Sequence, residues 1–236
     1  MIPWSLLDTA KVPGGVDELR LLRRGAEFSI MSGRIELMNS RRIGSEEALA
    51  TISCARIRDR RQPRMLIGGL GMGFTLRAAL AGLGSDARII LAELVPAVVT
   101  WARGPMAELF GNSLADPRVS IREEDVGVLI RSAPSTYDAI LLDVDNGPGG
   151  LTRKANDGLY EMKGLNGARK ALRPGGLLAL WSSGPDRNFT WRLRKAGFGV
   201  EEVRVRAHGA RGAHNVIWIA TNPTAVHPLR THDPGQ

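Results

Sequence analysis

The stretch "MLIGGLGMGFTLRAAL", residues 65–80, decides the fold. Met65–Gly68 is a short apolar run of the kind that forms a buried strand in a parallel sheet. Gly69, Gly71 and Gly73 alternate directly behind it, and helical spacing begins at Phe74. Glycines in that place let the backbone turn tightly and approach a ligand closely, and the helix that follows offers oriented N–H groups. Outward from this unit, strands are predicted at Met65–Gly68, Arg88–Glu93, Arg118–Arg122, Tyr137–Asp143, Gly176–Trp181, Gly199–Val205 and Asn215–Ala220. Helices fall between them near 73–83, 95–107, 126–132, 157–171 and 186–196. Such alternation predicts an α/β fold, a doubly wound and mostly parallel seven-stranded sheet with helices on both faces. The last two strands are separated only by "RAHGARGAH" and are expected to pair antiparallel at the sheet edge.

The residues before Arg64 read differently. "AEFSIMSG" (26–33) and "RIELMNS" (34–40) are split by Ser32-Gly33, a hairpin signal. "GSEEALATISCARIRD" then reads as a helix, with Ser45 as N-cap, Glu46 and Glu47 in the first turn and Leu49, Ile52 and Ile57 as apolar positions. The expected division is a β-hairpin region over 1–44, a nucleoside-binding domain over 45–222 and a Pro-rich flexible tail over 223–236.

The composition narrows the classes. A chain of 236 residues, 43% hydrophobic, can bury one sizeable core. No run approaches the ~18 apolar residues of a membrane span. The start "MIPWSLLDTAKVPGG" lacks the basic and apolar segments of a signal peptide, and the lone Cys54 has no partner for an intramolecular disulfide. A cytoplasmic protein without a membrane partner is the expectation. The net charge is +8, but arginine is spread along the whole chain, and the densest run, "RIRDRRQPR" at 56–64, reads as a solvated helix end. Nucleic acid is therefore not an expected partner. A cationic substrate would need a local acidic pocket against this background. The histidines, at 208, 214, 227 and 232, form no metal-site spacing with Cys or Asp, and no metal is expected.

Three acidic positions join the glycine loop. Glu93 ends the strand "ARIILAEL" about twenty residues past the loop, where an acid meets ribose hydroxyls in nucleoside-binding sheets; the alternative is a solvated strand end. Asp125, in "REEDVGVLI", stands where adenine amino groups are often contacted, with neighbouring Glu124 as the other candidate. Asp143 ends the apolar strand of "YDAILLDVDNGPGG" and is followed by Asp145. All four features fall at the carboxyl ends of successive strands, the edge where open α/β sheets bind ligands. The loop spacing is G-x-G-x-G rather than the G-x-G-x-x-G of dinucleotide folds, and the antiparallel last strand also departs from them. Both points favour the nucleoside of S-adenosylmethionine.

Here the chain resembles the spermidine synthase-like, aminopropyltransferase branch of the S-adenosylmethionine-dependent methyltransferase fold. "EFSIMSGRIELMNSRRIGSEEALA" is similar to that family's small β-domain and following helix, "MLIGGLGMGFTLR" to its glycine motif and "ILAELVPAVVTWAR" to its ribose strand. "REEDVGVLI" occupies the adenine position, "YDAILLDVDNGPGG" the segment of the catalytic aspartate, and "LYEMKGLNGARKALRPGGLLALWSS" the helix and strand beyond. The resemblance implies a transferase of polyamine biosynthesis, often paired as a homodimer, that moves an aminopropyl group from decarboxylated S-adenosylmethionine to a small-molecule amine. By that resemblance Gly69, Gly71 and Gly73 cradle the donor, Glu93 holds ribose, Asp125 holds adenine, and Asp143 is the base that deprotonates the amine. Asp145, Glu46 and Tyr160 are candidates for holding substrate. Two departures stand out. The family's D-S-S-D-P loop reads Asp143-Val144-Asp145-Asn146-Gly147-Pro148 here, and the glycine loop carries Leu70 and Met72 where spermidine synthases place an Asp. A loop without acid suits the carboxylate of intact S-adenosylmethionine, which makes a methyltransferase of unknown acceptor the first alternative. A non-catalytic nucleoside-binding or nucleic-acid-associated protein is the second.

Overall fold

The computed structural model describes residues 2–41, 44–144, 158–208 and 211–224. A seven-stranded sheet is built from β5 (Arg64–Gly68), β6 (Arg88–Ala92), β7 (Val119–Arg122), β8 (Tyr137–Leu142), β9 (Leu172–Ser182), β10 (Gly199–His208) and β11 (Arg211–Thr221). Its order is β10-β11-β9-β8-β5-β6-β7, with β9, β8, β5, β6 and β7 mutually parallel. β11 runs antiparallel to both of its neighbours, so the expected closing pair is present, with the last strand inserted between β9 and β10.

Alternate residues of the central strands feed two cores, as a sheet covered on both faces requires. Met65, Ile67, Ile89 and Leu91 pack with α1 (Gly44–Ile57), α2 (Phe74–Gly82) and α3 (Pro96–Arg103). Leu66, Ile140, Leu178 and Leu180 pack with α5 (Val126–Ser132), α6 (Met162–Ala171) and α7 (Arg187–Lys195). The helix expected at 95–107 is two helices. α3 stops before Gly104-Pro105, and α4 (Ala107–Phe110) restarts after it, because proline cannot donate the next helical bond. Ser45 is not an N-cap: α1 begins at Gly44, and the Ser45 hydroxyl donates to Glu46 Oε2 at 2.7 Å. None of the described helices is long and apolar enough to cross a membrane.

The N-terminal region is larger than a hairpin. β1 (Ser5–Lys11), β2 (Glu18–Arg24), β3 (Glu27–Ser32) and β4 (Ile35–Asn39) form a four-stranded antiparallel meander. Its inner face, through Val12, Leu19, Leu21, Phe28 and Ile30, is continuous with the first core. Asp8 of β1 ties it to α3 by accepting from the Trp101 indole N–H at 2.6 Å. The small sheet thus lies across the carboxyl edge of the large one.

Candidate active site

The strand order places five strand ends in a row. Trp181 is the penultimate residue of β9, Asp143 follows β8, Gly69 follows β5, Glu93 follows β6, and Glu124 and Asp125 follow β7. A single pocket runs along this row beneath the small sheet, which contributes Val12, Leu19, Ile30, Leu37 and Met38 to its apolar wall. Six carboxylates line it: Asp17, Glu46, Glu93, Glu124, Asp125 and Asp143. No Lys, Arg or His is among the described lining residues.

The glycine loop passes under the pocket with positive φ at Gly69 (94°), Gly71 (49°) and Gly73 (77°), a region that L side chains rarely enter. Gly69 is pressed against the Asp143 carbonyl, and a Cβ on Gly71 would stand 2.6 Å from Met38 Sδ. Both glycines line the pocket. Gly73 does not. It caps α2 against the Phe110 ring, so its smallness serves packing rather than the expected cradle. Leu70 and Met72 turn into the core, 4% and 0% exposed, so the loop offers the pocket backbone only.

Glu93 is buried, and its carboxylate organises the loop. Oε2 accepts from the Leu70 N–H at 3.0 Å and Oε1 from the Val95 N–H at 2.8 Å. Burial pushes its pKa up, against the pull of the backbone donors Val95, Leu70, Leu94 and Gly71. Asp125 is half-buried and caps α5, its Oδ1 accepting from the Gly127 N–H at 2.6 Å. Asp125 and Glu124 both line the pocket, so the structure brings both candidates to the β7 end.

Asp143 sits mid-row. Its Oδ2 accepts from the Thr75 hydroxyl at 2.7 Å, and Thr75 Oγ1 lies 3.4 Å from the Glu46 carbonyl. Desolvation and then the nearby Glu46 charge push the Asp143 pKa up to about 7, while the Thr75 bond opposes them. Glu46, from the first turn of α1, therefore meets Asp143 across the pocket, although nearly a hundred residues separate them in the chain. Tyr160 is not part of this assembly. It is 4% exposed and packs edge-on against Phe189, at 5.9 Å between ring centroids, in the second core. Asp145 lies outside the described residues. Trp181 lines the pocket; Ser182 and Ser183 do not.

Sequence reasoning missed Thr75, Met38 and Asp17. Thr75 could have been found from its place in the first turn after the glycine loop, pointing back to the strand edge. Met38 and Asp17 belong to the small sheet, and only its docking brings them to the pocket.

No family model matches the chain. The polyamine aminopropyltransferase of Mycobacterium tuberculosis (strain ATCC 25618 / H37Rv) is 31% identical over 151 residues, which are 60% of this chain and 28% of that protein. Polyamine aminopropyltransferase 1 of Streptomyces coelicolor is 32% identical over 149 residues, 60% of this chain and 27% of that protein. The chain thus spans less than a third of the length of these two relatives. Among solved structures, the spermidine synthase from Thermotoga maritima superposes with a TM-score of 0.72 at 16% identity, covering 97% of this chain and 75% of that one. A spermidine synthase in complex with the transition-state analogue AdoDATO gives 0.74 at 17% identity, covering 97% and 77%. The resemblance read from the motifs is thereby found again in sequence and in shape: the chain has the spermidine synthase-like form of the methyltransferase-like fold.

Proposed function

We propose that this chain is a transferase that moves an aminopropyl group from decarboxylated S-adenosylmethionine to an amine. One observation carries the reading: on a chain of net charge +8, the pocket is lined by six carboxylates and no described basic residue. A pocket of that sign favours a sulfonium and ammonium groups and disfavours a ligand carboxylate. The acid absent from the glycine loop is supplied by Glu46 from α1, next to Asp143. This weakens the argument for an intact donor, whose methionine carboxylate would meet two acids, Glu46 and Asp143.

In this reading the nucleoside lies over Gly69 and Gly71, with ribose at Glu93 and adenine at Asp125 and Glu124. The aminopropyl end then points along the row to Asp143 and Glu46. The acceptor nitrogen attacks the carbon next to sulfur, the C–S electron pair goes to sulfur, and neutral methylthioadenosine leaves. The proton from the attacking nitrogen passes to the Asp143 carboxylate. A base with a pKa near the working pH is suited to that transfer, and a value of about 7 meets the condition.

Titration calorimetry with S-adenosylmethionine, its decarboxylated form and methylthioadenosine tests the reading. The decarboxylated donor should bind at least about tenfold more tightly than the intact one, a difference of about 1.4 kcal/mol, and methylthioadenosine should form when an amine is added. Equal binding, or preference for the intact donor, overturns the proposal in favour of methyl transfer.

A further inference from the structure

The described lining of the pocket carries no cation, whereas the outer face of α7 is rich in them. α7 is held to the sheet by Phe189, Thr190 and Leu193, all buried. Its opposite face carries Arg187, Trp191, Arg194 and Lys195, all exposed, at spacings of i, i+4, i+7 and i+8 that make one stripe along the helix. Trp191 is 58% exposed, whereas Trp101 and Trp218 are fully buried. Lys195 Nζ stands 4.6 Å from the Trp191 ring centroid. The acidic group at this helix is already committed: Asp186 accepts from the Asn188 and Phe189 N–H groups and lies 4.0 Å from Arg192. On the adjoining strand, Glu202 accepts from Thr190 and Glu201 pairs with Arg56.

The stripe continues past the helix. The Arg169 guanidinium lies against Gly197, where a Cβ would be 3.1 Å away. Arg169 and Lys170, exposed in the last turn of α6, share a surface cleft with Asn166 and Asn222. Arg187, Arg194 and Lys195 thus flank an exposed indole, and Arg169, beside Gly197 at the end of α7, with Lys170 in the neighbouring cleft, extends the ridge to five cations. The scatter of arginine in the sequence conceals this grouping, which α6 and α7 assemble.

We propose that this ridge binds an unpaired polynucleotide strand, with phosphates on the five cations and a base stacked on Trp191. Cations flanking an exposed aromatic ring are the combination that tracks a single strand, because phosphate supplies the charge and every base has a stacking face. A bilayer would call for an apolar face, and Trp191 is the one exposed large apolar side chain described on α6 and α7. The ridge stands on the α6–α7 face of the sheet, apart from the acidic pocket at its carboxyl edge, so the two charges do not compete. The inference does not rest on the aminopropyl reading.

Fluorescence anisotropy of a labelled single-stranded oligouridylate with the full chain tests it. Five neutralised phosphates predict a slope of about −3.5 in log affinity against log salt. The triple variant Arg187→Gln, Arg194→Gln, Lys195→Gln should flatten that slope by about two. Trp191→Ala should weaken binding by about tenfold at every salt concentration and leave the slope unchanged. Methylthioadenosine binding should be the same in both variants, which separates loss of the ridge from loss of the fold. Equal affinity of wild type and Trp191→Ala, equal affinity for duplex RNA, preference for phosphatidylglycerol vesicles, or no binding at low salt would each overturn the proposal.

Discussion

Strand β8 has an aspartate near each end, and the two are treated in opposite ways. Asp138, 1% exposed, is fully matched: Oδ1 accepts from Arg60 at 2.7 Å, and Oδ2 from Arg173 and the Arg64 N–H, both at 2.8 Å. Asp143, just past the other end, accepts from a threonine hydroxyl and has a neighbouring glutamate, and among the described residues no cation bonds to it. A buried carboxylate that only supports the fold is compensated, since removing it from water costs several kcal/mol otherwise. A partly buried carboxylate that faces another acid has its charged form disfavoured, and such groups gather at functional sites.

The largest effect expected from breaking this contrast is on turnover. Asp143→Asn should lower kcat by about 10²–10⁴, the range for loss of a general base, with methylthioadenosine affinity within about twofold of wild type by calorimetry. The same substitution tests the cost of the site. Between the ordinary value of 3.8 and about 7, folded Asp143 holds a proton that the unfolded chain has released. Stability therefore falls as pH rises through that window and levels above it. In Asp143→Asn that decline should vanish from urea melts followed across the same range.

At the other end, Asp138→Asn should leave the chemistry intact and cost about 3 kcal/mol of unfolding free energy. That is the low end for breaking a buried pair, because Arg60 and Arg173 are partly exposed and can turn to solvent. A cost below about 1 kcal/mol, with reduced turnover, would mean the two aspartates are not distinguished in this way. Glu93→Ala should weaken donor binding by about 1–3 kcal/mol, and unchanged affinity would remove Glu93 from the site. The smallest effect is electrostatic. Glu46→Gln removes a charge that raises the Asp143 pKa, so the low-pH limb of kcat/KM should move to lower pH. A limb that stays in place would show that Glu46 does not act on the base.

Most of the large sheet was legible from residues 65 onward, because strands buried on both faces read as continuous apolar runs. The small sheet was half legible. β3 and β4 were marked by the Ser32-Gly33 turn, but β1 is exposed along nearly its whole length and shows no alternation, and β2 interleaves leucine with arginine. The row of strand-end acids was equally visible, since each follows an apolar strand directly. The meeting of Glu46 with Asp143 was not, because it depends on where α1 docks. Tyr160 and Gly73 were misplaced for a related reason: spacing along the chain puts a residue near an edge but does not say which way its side chain turns.

The raised pKa of Asp143 has a consequence for measuring affinity. Near neutral pH part of the protein population carries a proton on Asp143, and an arriving ammonium would displace it into the medium. Ligand capture would then be an acid–base reaction as well as an association. Its apparent heat should change with the ionisation enthalpy of the buffer, and the number of protons released should itself report how many ligand charges reach that corner of the pocket.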